Sequence, residues 1–274
     1  MRVCPNTREL GKEEGLKKIW NRIYADYLMP SRLDEYERLL QASIEAGYQH
    51  VTLPAFYALC KNKALSGKYF IHRHDIDTDP KTARKMFNLE RNLGIRSSYY
   101  FRLSTLDVPL MKEIHQYGSE VGYHYEELAT YCKRHRILSP KNLTLHHQEI
   151  RDQFELNVRA VTDLVGFPIR TIASHGDFAN RKLGVPNYAF IDREFMDRLN
   201  IDFECYDPFL ISHYNETISD TTYPMYYKPY SPVEALKRNP KVIYLLTHPR
   251  HWRTAPWLNF LDTVHRIREG VSFN

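Results

Sequence analysis

Apolar residues recur along this chain in two periods, and the places where one gives way to the other outline its architecture. From Lys12 to Leu28 the residues Leu16, Ile19, Trp20, Ile23, Tyr24 and Tyr27 fall at helical spacing. They predict an amphipathic helix that closes before Pro30, with Trp20 and Tyr24 as packing residues. Ser31 predicts the N-cap of a second helix, which carries Leu33, Tyr36, Leu39, Leu40 and Ile44 and ends at Gly47. Further helices are expected from Pro80 to Gly94, from Val108 to Tyr117, from Leu143 to Val165 and from Pro256 to Arg268. Between them lie β-like runs at His50–Leu53, Lys68–Ile71, Arg96–Leu103, Glu120–Tyr125, Ile169–Ser174 and Lys241–Thr247, the last reading as a buried strand. Strands alternating with helices imply an α/β chain whose mainly parallel sheet is covered by crossover helices. From Asn180 to Asp220 aromatics and prolines obscure the period, so strand and loop are not distinguished there.

The length, 274 residues, fits one α/β barrel of roughly 250 residues with an extension. Residues 1–30 are read as an N-terminal helical extension and 31–274 as the domain. A hydrophobic content of 43% and a charged content of 26% are those of a globular chain with a sizeable core. The net charge of +5 is spread along the chain without a basic block, so no nucleic-acid partner is expected. Four scattered cysteines form no C-x-x-C pair, which argues against a zinc ribbon or a thioredoxin-type site and for reduced thiols. The N-terminus lacks the apolar core of a signal peptide, and no run of about 18 apolar residues occurs. The expectation is a soluble, cytoplasmic protein without membrane insertion.

Chemistry concentrates in His72 to Pro80, HRHDIDTDP, where the run Lys68–Ile71 meets the helix at Pro80. In extended backbone Asp75 and Asp77, two apart, share one side. Two histidines and two aspartates within six residues cost desolvation energy unless solvated, paired or bound to a metal. The ordinary alternative is a polar loop with an aspartate capping the next helix. Arg102, His124, His175 and His248 then each follow a separate β-like run. Singly, each has a bland role: a salt-bridge partner, a core histidine, a turn residue before Gly176, a helix-entry residue before Pro249. In parallel α/β folds, however, the carboxyl ends of the strands share one face, so the five positions can converge. Asp with His suits Zn²⁺ or another first-row divalent ion with a position left for water, and hydrolysis is the natural outcome. No G-x-S-x-G and no phosphate-binding glycine loop is present.

HRHDIDTDP, NLGIRSSYYFRL, GSEVGYHYEEL, ASHGD and YLLTHPRHW, in that order, resemble the polysaccharide deacetylase family, carbohydrate esterase family 4 or NodB-homology group. The likeness is greater to its intracellular branch in surface-polysaccharide and O-antigen biosynthesis. It implies a distorted (β/α) barrel of about seven strands and metal-dependent removal of an acetyl group from an N- or O-acetylated sugar. It further implies Asp75 as base, Asp77 and His124 as ligands of a divalent metal, most simply Zn²⁺, and His248 as acid. The second histidine of the family's second motif falls on Leu128. His175 is taken as third ligand in its place, with His72 and Glu126 as competitors. Arg102, Asp220 and Trp252 are expected sugar contacts, the first two by hydrogen bonds and the last by stacking. The implied substrate is a nucleotide-linked or lipid-linked glycan precursor. Hydrolysis of another carbon–nitrogen amide bond, or an inactive barrel that binds a glycan or a protein, is the alternative.

Overall fold

Eight parallel strands and one antiparallel strand form one curled sheet in the computed structural model, which describes residues 7–273, and seven of the parallel strands lie side by side. In chain order the strands are β1 (Gln49–Val51), β2 (Tyr69–Ile76), β3 (Ser98–Phe101), β4 (Glu120–Tyr125), β5 (Thr171–Ser174), β6 (Phe203–Glu204), β7 (Glu216–Asp220), β8 (Tyr227–Lys228) and β9 (Val242–Thr247). Across the sheet the order is β6-β5-β4-β3-β2-β9-β7-β8, with β8 antiparallel at one edge. β2 is central because it pairs along its whole length. β9 flanks one side, while β1 and then β3 follow each other along the other.

Side chains from β2 (Tyr69, Ile71), β3 (Tyr100), β5 (Ala173), β6 (Phe203) and β9 (Tyr244) meet in one buried cluster. β6 and β9 stand five places apart in the order, so they can share a core only if the sheet bends round. This is the expected α/β architecture, a distorted barrel open between the edge strands β6 and β8. Gly122 in β4 serves the curl, since a Cβ there would lie 2.2 Å from the Tyr100 ring, which instead fills the interior. One end is closed by the helix Leu53–Lys61, capped by Thr52, whose Leu53, Phe56 and Cys60 join the same cluster.

The longer helices are α1 (Thr7–Ile23), α2 (Leu33–Glu45), α3 (Leu53–Lys61), α4 (Pro80–Asn92), α5 (Val108–Tyr117), α6 (Glu127–His135), α7 (His147–Val165), α8 (Pro232–Arg238) and α9 (Pro256–Phe273). Asp79 caps α4 by accepting from Thr82 N at 3.0 Å, and Gly118 ends α5 in the left-handed conformation. Arg32, not Ser31, stands at the N-cap of α2.

Several elements differ from expectation for physical reasons. The strand in the opening motif runs on from Ile71 to Ile76, because hydrogen bonds on both flanks keep even its polar residues buried. α6 and β6 to β8 had no signal. α6 buries Glu127 beside the apolar Leu128, Ala129 and Cys132, and the three strands have two to five residues each, too few for a period. Trp20 does not pack and is 58% exposed, whereas Tyr24, in a π-helical turn after α1, packs tilted against Tyr223 with centroids 4.6 Å apart. Cys60, Cys132 and Cys205 are free and buried, and Cys4 lies outside the described residues. Among the described residues no helix is long and apolar enough to cross a membrane.

Candidate active site

The carboxyl ends of β2, β4 and β5 bring Asp77, His124 and His175 together. Asp77 Oδ1 lies 3.2 Å from His124 Nε2 and 3.1 Å from His175 Nδ1, and the two ring nitrogens are 3.2 Å apart. His124 Nδ1 donates to the Ala173 carbonyl at 2.9 Å, which turns the lone pair of Nε2 into the triangle. His175 is held by its own N–H to Tyr125 O at 2.8 Å and by the Asn187 amide on its carbonyl. The Asp77 backbone is fixed from the next strand end, where Arg102 Nη1 donates to its carbonyl at 3.2 Å. Asp77 Oδ1 is buried without a well-aligned hydrogen bond.

These residues fit a metal ion. An ion with four tetrahedral bonds of about 2.0–2.1 Å sets its ligand atoms roughly 3.3 Å apart, close to the triangle's edges. A carboxylate oxygen and an imidazole lone pair aimed at one point need a cation or a shared proton between them. Burial alone pushes the Asp77 carboxyl up, and His175, His124 and His248 outweigh it and hold Asp77 well below the usual carboxylate range.

Asp75 lies just beneath, with Oδ2 3.5 Å from His124 Nε2. Its neighbour two residues back on the same strand face, Arg73, grips it with both prongs of the guanidinium, Nε to Oδ1 and Nη2 to Oδ2, each at 2.7 Å. Arg73 is fully buried in the barrel, where it also donates to Tyr244 Oη at 3.2 Å. Burial pushes the Asp75 carboxyl up, but Arg73 with His124 and His248 more than reverses this, so Asp75 is ionised at neutral pH. Arg73 is a site residue that was not anticipated, although its i−2 spacing from Asp75 was the available signal.

On the opposite side, at the ends of β7 and β9, His248 Nδ1 meets Asp220 Oδ1 at 2.7 Å, and its backbone N–H donates to Oδ2 at 2.7 Å. Burial lowers the His248 imidazole, but Asp220, helped by Asp77 and Asp75, drives it up to about 9. The ring is therefore cationic at neutral pH with Nε2–H free. Asp220 is fully engaged, since Trp252 Nε1 and His251 Nδ1 also reach it at 3.0 Å each. Here the geometry departs from the expected sugar contacts. Trp252 is 0% exposed, packed against Tyr36, and has no face for a sugar, and Asp220 spends both oxygens positioning its neighbours. Arg102, the third expected contact, is paired with Glu126 through two bonds of 2.7 Å.

That pairing also commits Glu126, a competitor for the third ligand position. The other competitor, His72, lies on the outer face of β2 among Tyr36, His74 and Thr247, across the sheet from Asp75. Leu128 is buried in the outer core, so α6 sends no side chain from that position toward the triangle, and His175 fills the corner from β5. A cavity of about 520 Å³ opens above, lined by Asp77, His175, His248 and His251 and overhung by α1.

No family model and no curated protein matches the chain. Among solved structures it is similar, at 14% identity and a TM-score of 0.38, to the Xyl-CE4 domain of a multidomain xylanase from the hindgut metagenome of Trinervitermes trinervoides, over 75% of this chain and 83% of that one. A Streptococcus pyogenes deacetylase in complex with acetate is matched at 14% identity and a TM-score of 0.40, over 61% and 69%. A CE4 family pseudoenzyme from Bacillus anthracis is matched at 14% and 0.41, over 75% and 62%. Likenesses this distant leave the activity to be argued from the side chains.

Proposed function

We propose that this protein is a metal-dependent hydrolase that removes an acetyl group from an N- or O-acetylated sugar. The observation that carries the reading is the triangle of Asp77, His124 and His175, flanked on one side by a carboxylate kept ionised and on the other by a histidine kept protonated. Paired groups with pKa values pushed apart are what a base and an acid acting in one turnover require.

A divalent ion held by the triangle, with Zn²⁺ best matched to one carboxylate and two imidazoles, supplies polarisation of the acetyl carbonyl and of water. Asp75 takes the proton from the water as its oxygen attacks the carbonyl carbon. Both Asp75 oxygens keep a lone pair for this beyond the Arg73 bonds. When the tetrahedral carbon collapses, His248 Nε2 delivers its proton to the departing sugar nitrogen or oxygen, and Asp220 steadies the ring on the far side. Arg102 with Glu126 keeps Asp77 in register. The protein would act on nucleotide-linked or lipid-linked precursors of surface polysaccharide in the cytoplasm.

Metal analysis and an acetate-release assay against N- and O-acetylated sugars test the reading. About one divalent ion per chain, with acetate produced only when the ion is present, is expected. A protein that takes up no ion refutes it, and one that takes up the ion but releases acetate from no acetylated sugar transfers the site to another amide.

A further inference from the structure

The mouth of the cavity carries an ordered excess of positive charge that the hydrolytic chemistry does not use. Arg22 Nε lies 3.4 Å from Asp26, Asp26 lies 3.0 Å from Arg250, Arg250 lies 2.9 Å from Asp262, and Asp262 lies 3.0 Å from Arg266. The chain of pairs alternates, and it begins and ends on arginine, so three guanidinium groups share two carboxylates. Lys18, one turn before Arg22, adds a further charge and has no ion-pair partner among the described residues. Lys18, Arg22, Arg250 and Arg266 all line the same cavity as Asp77, His175 and His248.

Each member has a distinct part. Arg250 is the keystone, with an 11% exposed side chain and both carboxylates on its guanidinium, and it fixes the spacing of the others. Arg22 and Arg266 are 61% and 47% exposed and bind their aspartates through Nε, leaving terminal nitrogens toward solvent. α1 presents Lys18, Asn21 and Arg22 to the cavity, while Leu16, Ile19, Trp20 and Ile23 are exposed. A surface helix ordinarily buries its apolar stripe, and this one turns basic residues to the cavity instead.

We infer that the mouth is an anion subsite and that the acetylated sugar carries a phosphate group, bound by Lys18, Arg22 and Arg266 while its acetyl group lies over the triangle. A phosphate matches the forked guanidinium and the point charge of lysine better than a neutral glycan does. The inference rests on the deacetylase reading for its acetyl group, but not for the anion.

Binding of glucose 1-phosphate, which has no acetyl group to lose, tests the subsite independently of turnover. Calorimetry on the metal-loaded full chain should show binding that weakens at least tenfold in the double variant Lys18→Gln/Arg22→Gln. Thermal melting checks that the variant remains folded. Absence of binding to the parent protein, or equal binding to both proteins, overturns the inference, because an anion held by the metal alone would not notice the rim. Glucuronic acid in the same experiment separates the two anions, and tighter binding of the carboxylate than of the phosphate overturns the phosphate assignment. Failure of acetate release in the earlier assay leaves these outcomes unaffected.

Discussion

Strand β2 carries a histidine–carboxylate cluster on each of its faces, and only one of them has the makings of an active site. On the outer face His72 and His74 meet Glu90 of α4, with His74 Nε2 2.8 Å from Glu90 Oε1. On the inner side, at the strand's end, Asp75 and Asp77 meet His124 and His175. Both groups have the residue types that hold metals. The outer carboxylate, however, is saturated, since the hydroxyls of Tyr36, Ser97 and Tyr99 all donate to it, and Thr247 bridges the two histidines. The inner one is unsaturated at Asp77 Oδ1 and opens on a cavity. Residue type therefore does not separate scaffold from site. Unmet hydrogen-bonding capacity together with access does.

The sharpest contrast should come from Asp75→Asn, which keeps shape and removes the base. Acetate release is expected to fall about 10³-fold, with metal content measured by elemental analysis unchanged. Loss of the ion in this variant would mean that base and ligand are wrongly divided between Asp75 and Asp77.

Glu90→Ala should do the reverse. Removing a buried carboxylate from four donors is expected to cost about 3 kcal/mol of folding stability, read by chemical denaturation, while the folded fraction keeps its metal. The outer cluster also has a signed pH dependence. Burial raises the Glu90 carboxyl, but His74, His72 and Ser97 bring it down from 4.5 to about 2. Its contribution is thus present above pH 4.5 and lost as the pH falls toward 2. Metal loss from Glu90→Ala at neutral pH would put an ion in the outer cluster and collapse the distinction.

The difference between the clusters also explains what the sequence could reveal. Residues at the ends of regular strands were legible, because a parallel sheet sends every carboxyl end to one face. Asp77, His124, His175 and His248 could be drawn together on that rule alone. Orientation across the sheet was not legible for His72, since its period-2 position has meaning only once the register of β2 is known. Asp220 and Trp252 were misjudged for a related reason. β7 has one buried apolar residue, Ile218, so nothing marked Asp220 as an interior strand end facing His248. Arg73 was the opposite case, readable from its spacing to Asp75 but hidden inside a motif that seemed already explained.

His175→Ala is a smaller perturbation of the inner cluster than removal of the base. The residue supplies one of three ligand atoms, so metal affinity is expected to drop by more than the roughly 10- to 100-fold that loss of an outer-shell partner costs, measured by competition with a chelator, with little change in stability. An unchanged affinity would return the third position to Glu126, which would first have to leave Arg102.

The smallest effect, and the most specific, belongs to Asp220→Asn. His248 is raised to about 9 chiefly by the Asp220 charge working against burial. Turnover should therefore hold steady from neutral pH upward and fall as the pH passes about 9, where the acid loses its proton. Without that charge the imidazole drops toward its ordinary value of about 6.5, so at pH 7 roughly a quarter of the molecules retain the proton and the rate falls about fourfold. The alkaline limb moves down from about pH 9 toward about 6.5, an effect that general loosening of the site would not produce. Asparagine keeps one acceptor oxygen, for the two histidine rings or for the His248 backbone N–H and Trp252, so thermal melting should separate the packing cost from the electrostatic one. A limb that stays near pH 9 would show that the proton lost there is not the one on His248.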